Sequence, residues 1–317
     1  MLLGLHTFSY HLAFRWGEMD LVGFIHRAAE LGLDGVQLHW RHFREEDFRR
    51  LPELRRLIDD LGLYVEIDTP FFERGHLREM LRVCAELGAT HLRTYISTPE
   101  LIDGAAQRDY VRDELPQQLA AAPSVLRDMV PLCAELGVRI GIENHEYETS
   151  ADLLRVVAAV DSEWIGILLD NGNSMMVWEE PLAAARAMAP RAVSTHFKDH
   201  LVIVEGGEPV VVGVPLGRGR IDLAESFRIH AAAPLLERLN IEVCYAYRAP
   251  FRRPPPGSGP PPQKGVFLPH PPPWDPAVVA PFPLPEDPAG RRRLIDWQAQ
   301  AVVDSVACVS DLNRRWG

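Results

Sequence analysis

Lysine is almost missing from this chain of 317 residues: it occurs only at Lys198 and Lys264, and every other basic residue is an arginine. Acids outnumber bases, 44 Asp and Glu against 33 Lys and Arg, for a formal net charge of −11. A chain so acidic lacks the basic face on which a phosphate-tracking protein depends, which argues against nucleic acid and anionic membrane as partners and for small molecules. Cysteine is scarce too. Cys84, Cys133, Cys244 and Cys308 lie far apart with no CxxC pair, and they read as reduced, mostly buried thiols in a cytoplasmic protein. No apolar run approaches the roughly 18 residues of a membrane span, and the opening "MLLGLHTFSYHLAFRWG" has no basic n-region of an export signal. Neither GxGxxG nor GxxxxGK[ST] stands at a strand-to-helix turn, which removes the common reasons for an open nucleotide-binding sheet.

What is present is a repeat. An amphipathic helix ends in Leu-Gly and a β-rich run follows at once in "AAELGLDGVQLHW" (28–40), "IDDLGLYVEID" (58–68), "CAELGATHLRTY" (84–95) and "CAELGVRIGIENH" (133–145). "LERLNIEVCY" (236–245) has Asn for Gly. Gly32, Gly62, Gly88, Gly137 and Asn240 therefore read as left-handed helix caps before strands. With "LLGLHTFSY" (2–10), "WIGILLD" (164–170) and "AVSTHFK" (192–198), the strands number eight. The alternation predicts an α/β fold, a (β/α)₈ TIM barrel forming a single domain over 1–317, with an open doubly wound sheet as the competing arrangement. Helical spacing of Leu77, Met80, Leu81, Cys84 and Leu87, and of Leu294, Trp297, Ala301, Ser305 and Leu312, supports the helices. Two stretches interrupt the repeat. Residues 200–222 read as a hairpin turning at Gly206-Gly207. Residues 248–290 are a Pro-rich insertion between the last strand and the last helix, either a disordered strap or an extended arm over a surface.

Alternation along the strands sends Glu143 and His145, Asp170, His196 and Lys198, and Glu242 to the inner face. The same parity, less strictly, sends in His6, Gln37, His39, Glu66, Asp68, Arg93 and Tyr95. Three carboxylates converging on one mouth cannot all stay ionised without compensation. A divalent cation resolves this, and three oxygen donors with one imidazole suit Mn²⁺, Mg²⁺ or Co²⁺.

The set "GIENH", "LLDNGN", "STHFKDH", "PLGRGRID" and "IEV", in this order, resembles the sugar phosphate isomerase/epimerase superfamily with its xylose isomerase-like TIM barrel, over roughly 1–248 and 291–314. The resemblance implies that Glu143, Asp170, His196 and Glu242 bind one divalent metal, with Mn²⁺ the ion expected here. It also implies that Glu143 and Glu242 exchange a proton at the carbon next to a carbonyl. Many members have histidine where this chain has Asn173, and an amide hydrogen-bonds a hydroxyl but shuttles no proton. His6, His145, Asn173 and Lys198 are expected to touch substrate, Lys198 by presenting its ammonium to a substrate oxygen. The expected activity is a metal-dependent sugar or sugar phosphate isomerase or epimerase with a small carbohydrate substrate. The runner-up is a lyase or dehydratase on a keto-cyclitol, dehydroshikimate-like or oxidised glycoside substrate. An AP-endonuclease-like DNA enzyme and a non-catalytic sugar-binding domain stand further off. Substrate identity and oligomeric state stay open, and a homo-oligomer is compatible with the sequence.

Overall fold

In the computed structural model, which describes residues 1–97, 104–257 and 263–317, four of the five expected caps are left-handed turns. Gly32, Gly62, Gly88 and Gly137 have φ of 71°, 68°, 76° and 69°, a region in which a side chain would be strained. Strands β1 (Leu2–His6), β2 (Gly35–His39), β3 (Tyr64–Asp68), β4 (His91–Thr94), β5 (Arg139–Glu143), β6 (Ile165–Asp170) and β7 (Ala192–His196) lie side by side in chain order. After them come β8 (Asp199–Glu205), β9 (Glu208–Val214), β10 (Arg238–Ile241) and β11 (Arg248–Pro250). Strand β10 pairs in parallel with β1. A parallel bridge between Phe197 and Ile241, with Phe197 N–H donating to Asn240 O at 2.8 Å, brings β7 onto β10. The eight parallel strands thus form a nearly closed barrel, a single-domain (β/α)₈ TIM barrel.

A main helix follows each barrel strand: α1 (Leu21–Glu30), α2 (Leu51–Asp60), α3 (Arg74–Leu87), α4 (Leu115–Arg127), α5 (Ser150–Val160), α6 (Pro181–Met188), α7 (Leu223–Ala231) and α8 (Pro288–Trp316). Their starts are capped by side chains that accept orphan amides. Asp20 takes the Gly23 N–H, Asp222 takes the Glu225 N–H, and Thr149 with Asp152 forms a reciprocal box. The stripe Leu77, Met80, Leu81, Cys84 and Leu87 of α3 is fully buried. It meets the outward set of the strands, Ile67, Leu92 and Ile140 among them, in one continuous core. Each such Leu or Met contributes roughly 1.5–3 kcal/mol by leaving water. No described helix is long and apolar enough to cross a membrane.

Three boundaries differ from the sequence reading. Asn240 is not a helix cap but lies inside β10, because its amide has better partners across the barrel: Nδ2 donates to Glu66 at 2.9 Å and Oδ1 accepts from the Tyr64 hydroxyl at 2.8 Å. The first strand stops at His6 and the last at Ile241. Beyond them the Ser9 hydroxyl accepts the Val243 N–H at 2.9 Å, and the Thr7 hydroxyl accepts the His39 N–H at 2.9 Å. These bonds tie the segment after β1 to the end of β2 and to the segment after β10.

The hairpin turns at Gly206 and Gly207, both at positive φ, as the sequence predicts. Strand β11, at the start of the Pro-rich segment, adds to it in antiparallel register. Further along, Trp274, Val278 and Val279 pack on Leu201, Ile203, Val212 and Val214 of the hairpin, and His270 N–H donates to Val202 O at 2.7 Å. Within the insertion, residues 248–250 and 270–279 lie on this hairpin, while Phe251 and Arg252 pack on Trp178 and Glu146 in the loops after β6 and β5; residues 258–262 lie outside the described residues.

Candidate active site

Four side chains converge at the C-terminal end of the barrel. Glu143 ends β5, Asp170 ends β6, His196 ends β7 in register with Asp170, and Glu242 follows β10. All three carboxylates reach Nδ1 of His196: Glu143 Oε1 at 2.8 Å, Glu242 Oε2 at 3.4 Å and Asp170 Oδ2 at 3.6 Å. None of the four is more than 6% exposed.

The other ring nitrogen decides what Nδ1 carries. His196 Nε2 lies 2.6 Å from Gln37 Oε1, while Gln37 Nε2 donates to Glu66 Oε2 at 3.1 Å. The amide orientation is fixed by Glu66, which only accepts, so Gln37 offers His196 an oxygen and Nε2 must carry the proton. A neutral His196 then points its Nδ1 lone pair at three carboxylates. That arrangement needs a cation at the shared point. Without a metal, the cation is a proton on Nδ1 itself: burial opposes it, but Glu242 and Glu143 prevail and push His196 up to about 10.

Charge counting gives the same requirement. Asp68, Glu143, Asp170 and Glu242 are buried. Arg93 reaches Asp68 Oδ1 at 2.5 Å and also contacts Glu143, and Lys198 Nζ lies 2.6 Å from Asp170 Oδ2 and against Glu242. Four acids against two fixed cations leave two negative charges, which a divalent ion matches. Burial works to raise Asp170 and Glu242, yet Lys198 outweighs it and holds both below the usual carboxylate range. Two backbone amides, of Gly172 and Asn173, occupy Asp170 Oδ1 at 2.8 Å each, which leaves Oδ2 for the centre. Among the described residues, Asp170 Oδ2 and Glu242 Oε2 have no hydrogen bond of good geometry. Three carboxylate oxygens and one imidazole nitrogen turned toward one point therefore fit a divalent ion. Among the described residues, the groups able to ligate a metal are His6, His196 and Glu242, and Glu143, Asp170 and His196, which share His196.

A cavity of about 230 Å³ opens above this point, lined by the remaining expected residues. His6 spans Asp68 (Nε2, 2.7 Å) and Glu242 (Nδ1, 3.1 Å), so it stands with the candidate ligands as well as at the cavity wall. Asn173 donates to Glu143 Oε1 at 3.2 Å and has Lys198 Nζ at 3.4 Å from its carbonyl oxygen. His145 stacks face to face on Tyr95, centroids 3.9 Å apart, and burial lowers it well below an ordinary histidine. Lys198 is engaged with Asp170 and Glu242, a role in addition to the substrate oxygen expected of it. Its stem also explains Gly172: a Cβ there would stand 2.7 Å from Lys198 Cγ and 2.6 Å from the His200 ring.

The family model described as "Xylose isomerase-like TIM barrel" matches residues 25–246. The chain belongs to that family. A 3-oxo-isoapionate decarboxylase from Pectobacterium atrosepticum is 27% identical over 232 residues, 70% of this chain and 78% of the relative. Among solved structures, the IOLI protein with a bound zinc atom superposes with a TM-score of 0.60 at 14% identity, covering 97% of this chain and 98% of that one. An L-ribulose 3-epimerase gives 0.57 at 17% identity, covering 76% and 80%. At these identities the two structures speak to the fold.

Several residues at this end gave no functional signal in the sequence. Arg93, Asp68 and Gln37 had inward parity but no assigned part. Arg252, from the Pro-rich arm, is buried and donates to Glu146 Oε2 at 2.6 Å at the cavity rim, while its neighbour Phe251 stacks on Trp178 at 3.5 Å. Asp199 accepts four backbone amides, from His200, Gly217, Gly219 and Ile221, and so shapes the "PLGRGRID" loop. These pairings join residues far apart in sequence, and no local pattern announces them.

Proposed function

We propose that this protein is a metal-dependent isomerase or epimerase that moves a proton at the carbon next to the carbonyl of a sugar, a sugar phosphate or a related polyhydroxy carbonyl compound. Glu143, Asp170, His196 and Glu242 would hold one divalent ion, Mn²⁺ by preference, with Mg²⁺ or Co²⁺ as substitutes. Bound there, the ion supplies electrostatic stabilisation for negative charge growing on the substrate's carbonyl oxygen. The observation that carries the reading is the position of Glu143 and Glu242 at the two ends of the arc β5, β6, β7, β10, with Asp170 and His196 between them and the cavity above.

Two carboxylates so placed address opposite faces of one carbon. Glu242, kept anionic by Lys198 and His196 against the pull of burial, removes the proton. Glu143, steered by Arg93 and Asn173, returns it from the other side. His6, His145, Asn173 and Lys198 orient the substrate's oxygens. The buried and half-buried free cysteines agree with a reducing, cytoplasmic setting.

Incubation of the Mn²⁺-loaded protein with a panel of ketoses in D₂O tests this directly. Deuterium should enter at the carbon next to the carbonyl, and Glu242→Gln should slow entry by about 10²- to 10⁴-fold while the thermal midpoint stays close to wild type. No exchange with any ketose would overturn the reading. The 27% identity to a decarboxylase favours one second reading, cleavage of a carbon–carbon bond next to the same carbonyl. Release of CO₂ from a 3-oxo sugar acid would select that lyase chemistry instead, whereas an enone absorbance from a keto-cyclitol would mark loss of water, a C–O cleavage.

A further inference from the structure

The cations of the mouth fall into two classes. Arg93 and Lys198 are each held by two buried carboxylates. Arg41, in the turn Trp40–His42 after β2, is exposed, has the Phe71 ring beside its guanidinium at 5.9 Å, and among the described residues has no carboxylate within ion-pair distance. Yet it lines the catalytic cavity. On its other side it lines a second hollow of about 550 Å³, which shares Arg41 and His42 with the first.

That hollow reverses the charge of the chain. Arg15, Arg41 and Arg44 stand in its wall with His11 and His42, and none of the residues lining it is acidic, in a protein of net charge −11. Of these three arginines, Arg44 alone has an acid within ion-pair distance among the described residues, Glu46 at 3.6 Å, and both of those side chains are more than half exposed. A second observation is independent of charge. His42 Nδ1, in the wall common to both hollows, and the Tyr247 hydroxyl, in the wall of the cavity, are buried atoms without a hydrogen-bond partner among the described residues. Burial lowers His39 to about 4 and His42 to about 2, so both are neutral near pH 7 and serve as hydrogen-bonding groups beside Arg41.

We propose that the substrate carries an anionic oxygen group, a carboxylate or a phosphate ester, away from its reacting carbon, and that Arg41 receives this group where the cavity meets the Arg15–Arg44 hollow. The guanidinium presents paired N–H donors matching two oxygens of either anion, and the arginines around it draw the anion in. This rests on the proton-transfer reading of the cavity and narrows its substrate class.

Calorimetric titration at low salt with D-ribulose, D-ribulose 5-phosphate and D-ribonate, on the Mn²⁺-loaded wild type, Arg41→Gln and Arg41→Lys, tests the proposal. One of the two anions should bind wild type about tenfold tighter than D-ribulose, and Arg41→Gln should bring that ratio close to one, with Arg41→Lys between. Whichever anion is preferred identifies the group as phosphate or carboxylate. Equal binding of all three probes overturns the proposal, as does an anion preference that survives Arg41→Gln, which would place the anion on the metal or elsewhere. If the Arg41-dependent preference holds but no ketose exchanges deuterium, the anion site stands and the proton-transfer reading falls. If ketoses exchange but show no anion preference, the reverse follows.

Discussion

Glu66 and Asp68 lie two residues apart on β3, one pleat repeat along the barrel axis, and their layers treat buried polarity in opposite ways. In the deeper layer Glu66 Oε2 accepts from Ser194 at 2.6 Å, Asn240 at 2.9 Å and Gln37 at 3.1 Å, with Arg238 3.5 Å from Oε1. The amides of Gln37 and Asn240 and the Ser194 hydroxyl all find an acceptor in Glu66, and among the described residues no metal-ligating group gathers there. In the mouth layer the same strands contribute Asp68, His196 and Glu242, and with Glu143 and Asp170 they bring acceptors together faster than donors. A satisfied polar layer fixes the barrel; an unsatisfied one awaits a cation. Gln37 joins the two layers, since its amide donates to Glu66 below and accepts from His196 above.

Breaking the deeper layer should cost the most stability. Glu66→Ala strands the amides of Gln37 and Asn240 and the Ser194 hydroxyl in the barrel, and is expected to lower unfolding free energy by about 3 kcal/mol. A shifted denaturant midpoint at unchanged slope would show it. Gln37→Leu cuts the link and frees His196 to take either tautomer. Mn²⁺ affinity measured by calorimetry should fall by about 10- to 100-fold, with little change in the fold by circular dichroism. An unchanged affinity would mean the tautomer is set elsewhere.

A histidine outside both layers gives the control. His230 of α7 is fully buried, its Nδ1–H donates to Ser226 O at 2.7 Å, and burial lowers it from 6.5 to about 4. Between those values the unfolded chain binds a proton that the native chain does not, so stability is present above pH 6.5 and drains away as pH falls toward 4. His230→Phe should remove one proton from that slope, at most about 1.4 kcal/mol per pH unit. A slope identical to wild type would contradict the neutral assignment.

Much of this was legible in the sequence because it is local. Left-handed glycine caps announced the junctions, and strand parity turned Glu143, Asp170, His196, Lys198 and Glu242 inward. What parity does not convey is which neighbour answers which charge. Arg93 pairs with Asp68 and Glu143 across β3, β4 and β5, so the charge deficit at the mouth is smaller than three bare carboxylates imply. Asn240 looked like a cap because only its local company was visible, and its partners Glu66 and Tyr64 come from another strand. Arg252 reached the cavity rim from inside a proline-rich segment whose composition gives no hint of a buried cation.

The central claim is that the mouth is built around one divalent ion. Titration of Mn²⁺ into metal-stripped protein, followed by calorimetry, tests it most directly. One equivalent should bind to wild type, and binding should weaken by at least about 100-fold in both His196→Ala and Asp170→Asn. A wild type that takes up no Mn²⁺, Mg²⁺ or Co²⁺, or variants that bind as tightly as it does, would contradict the account.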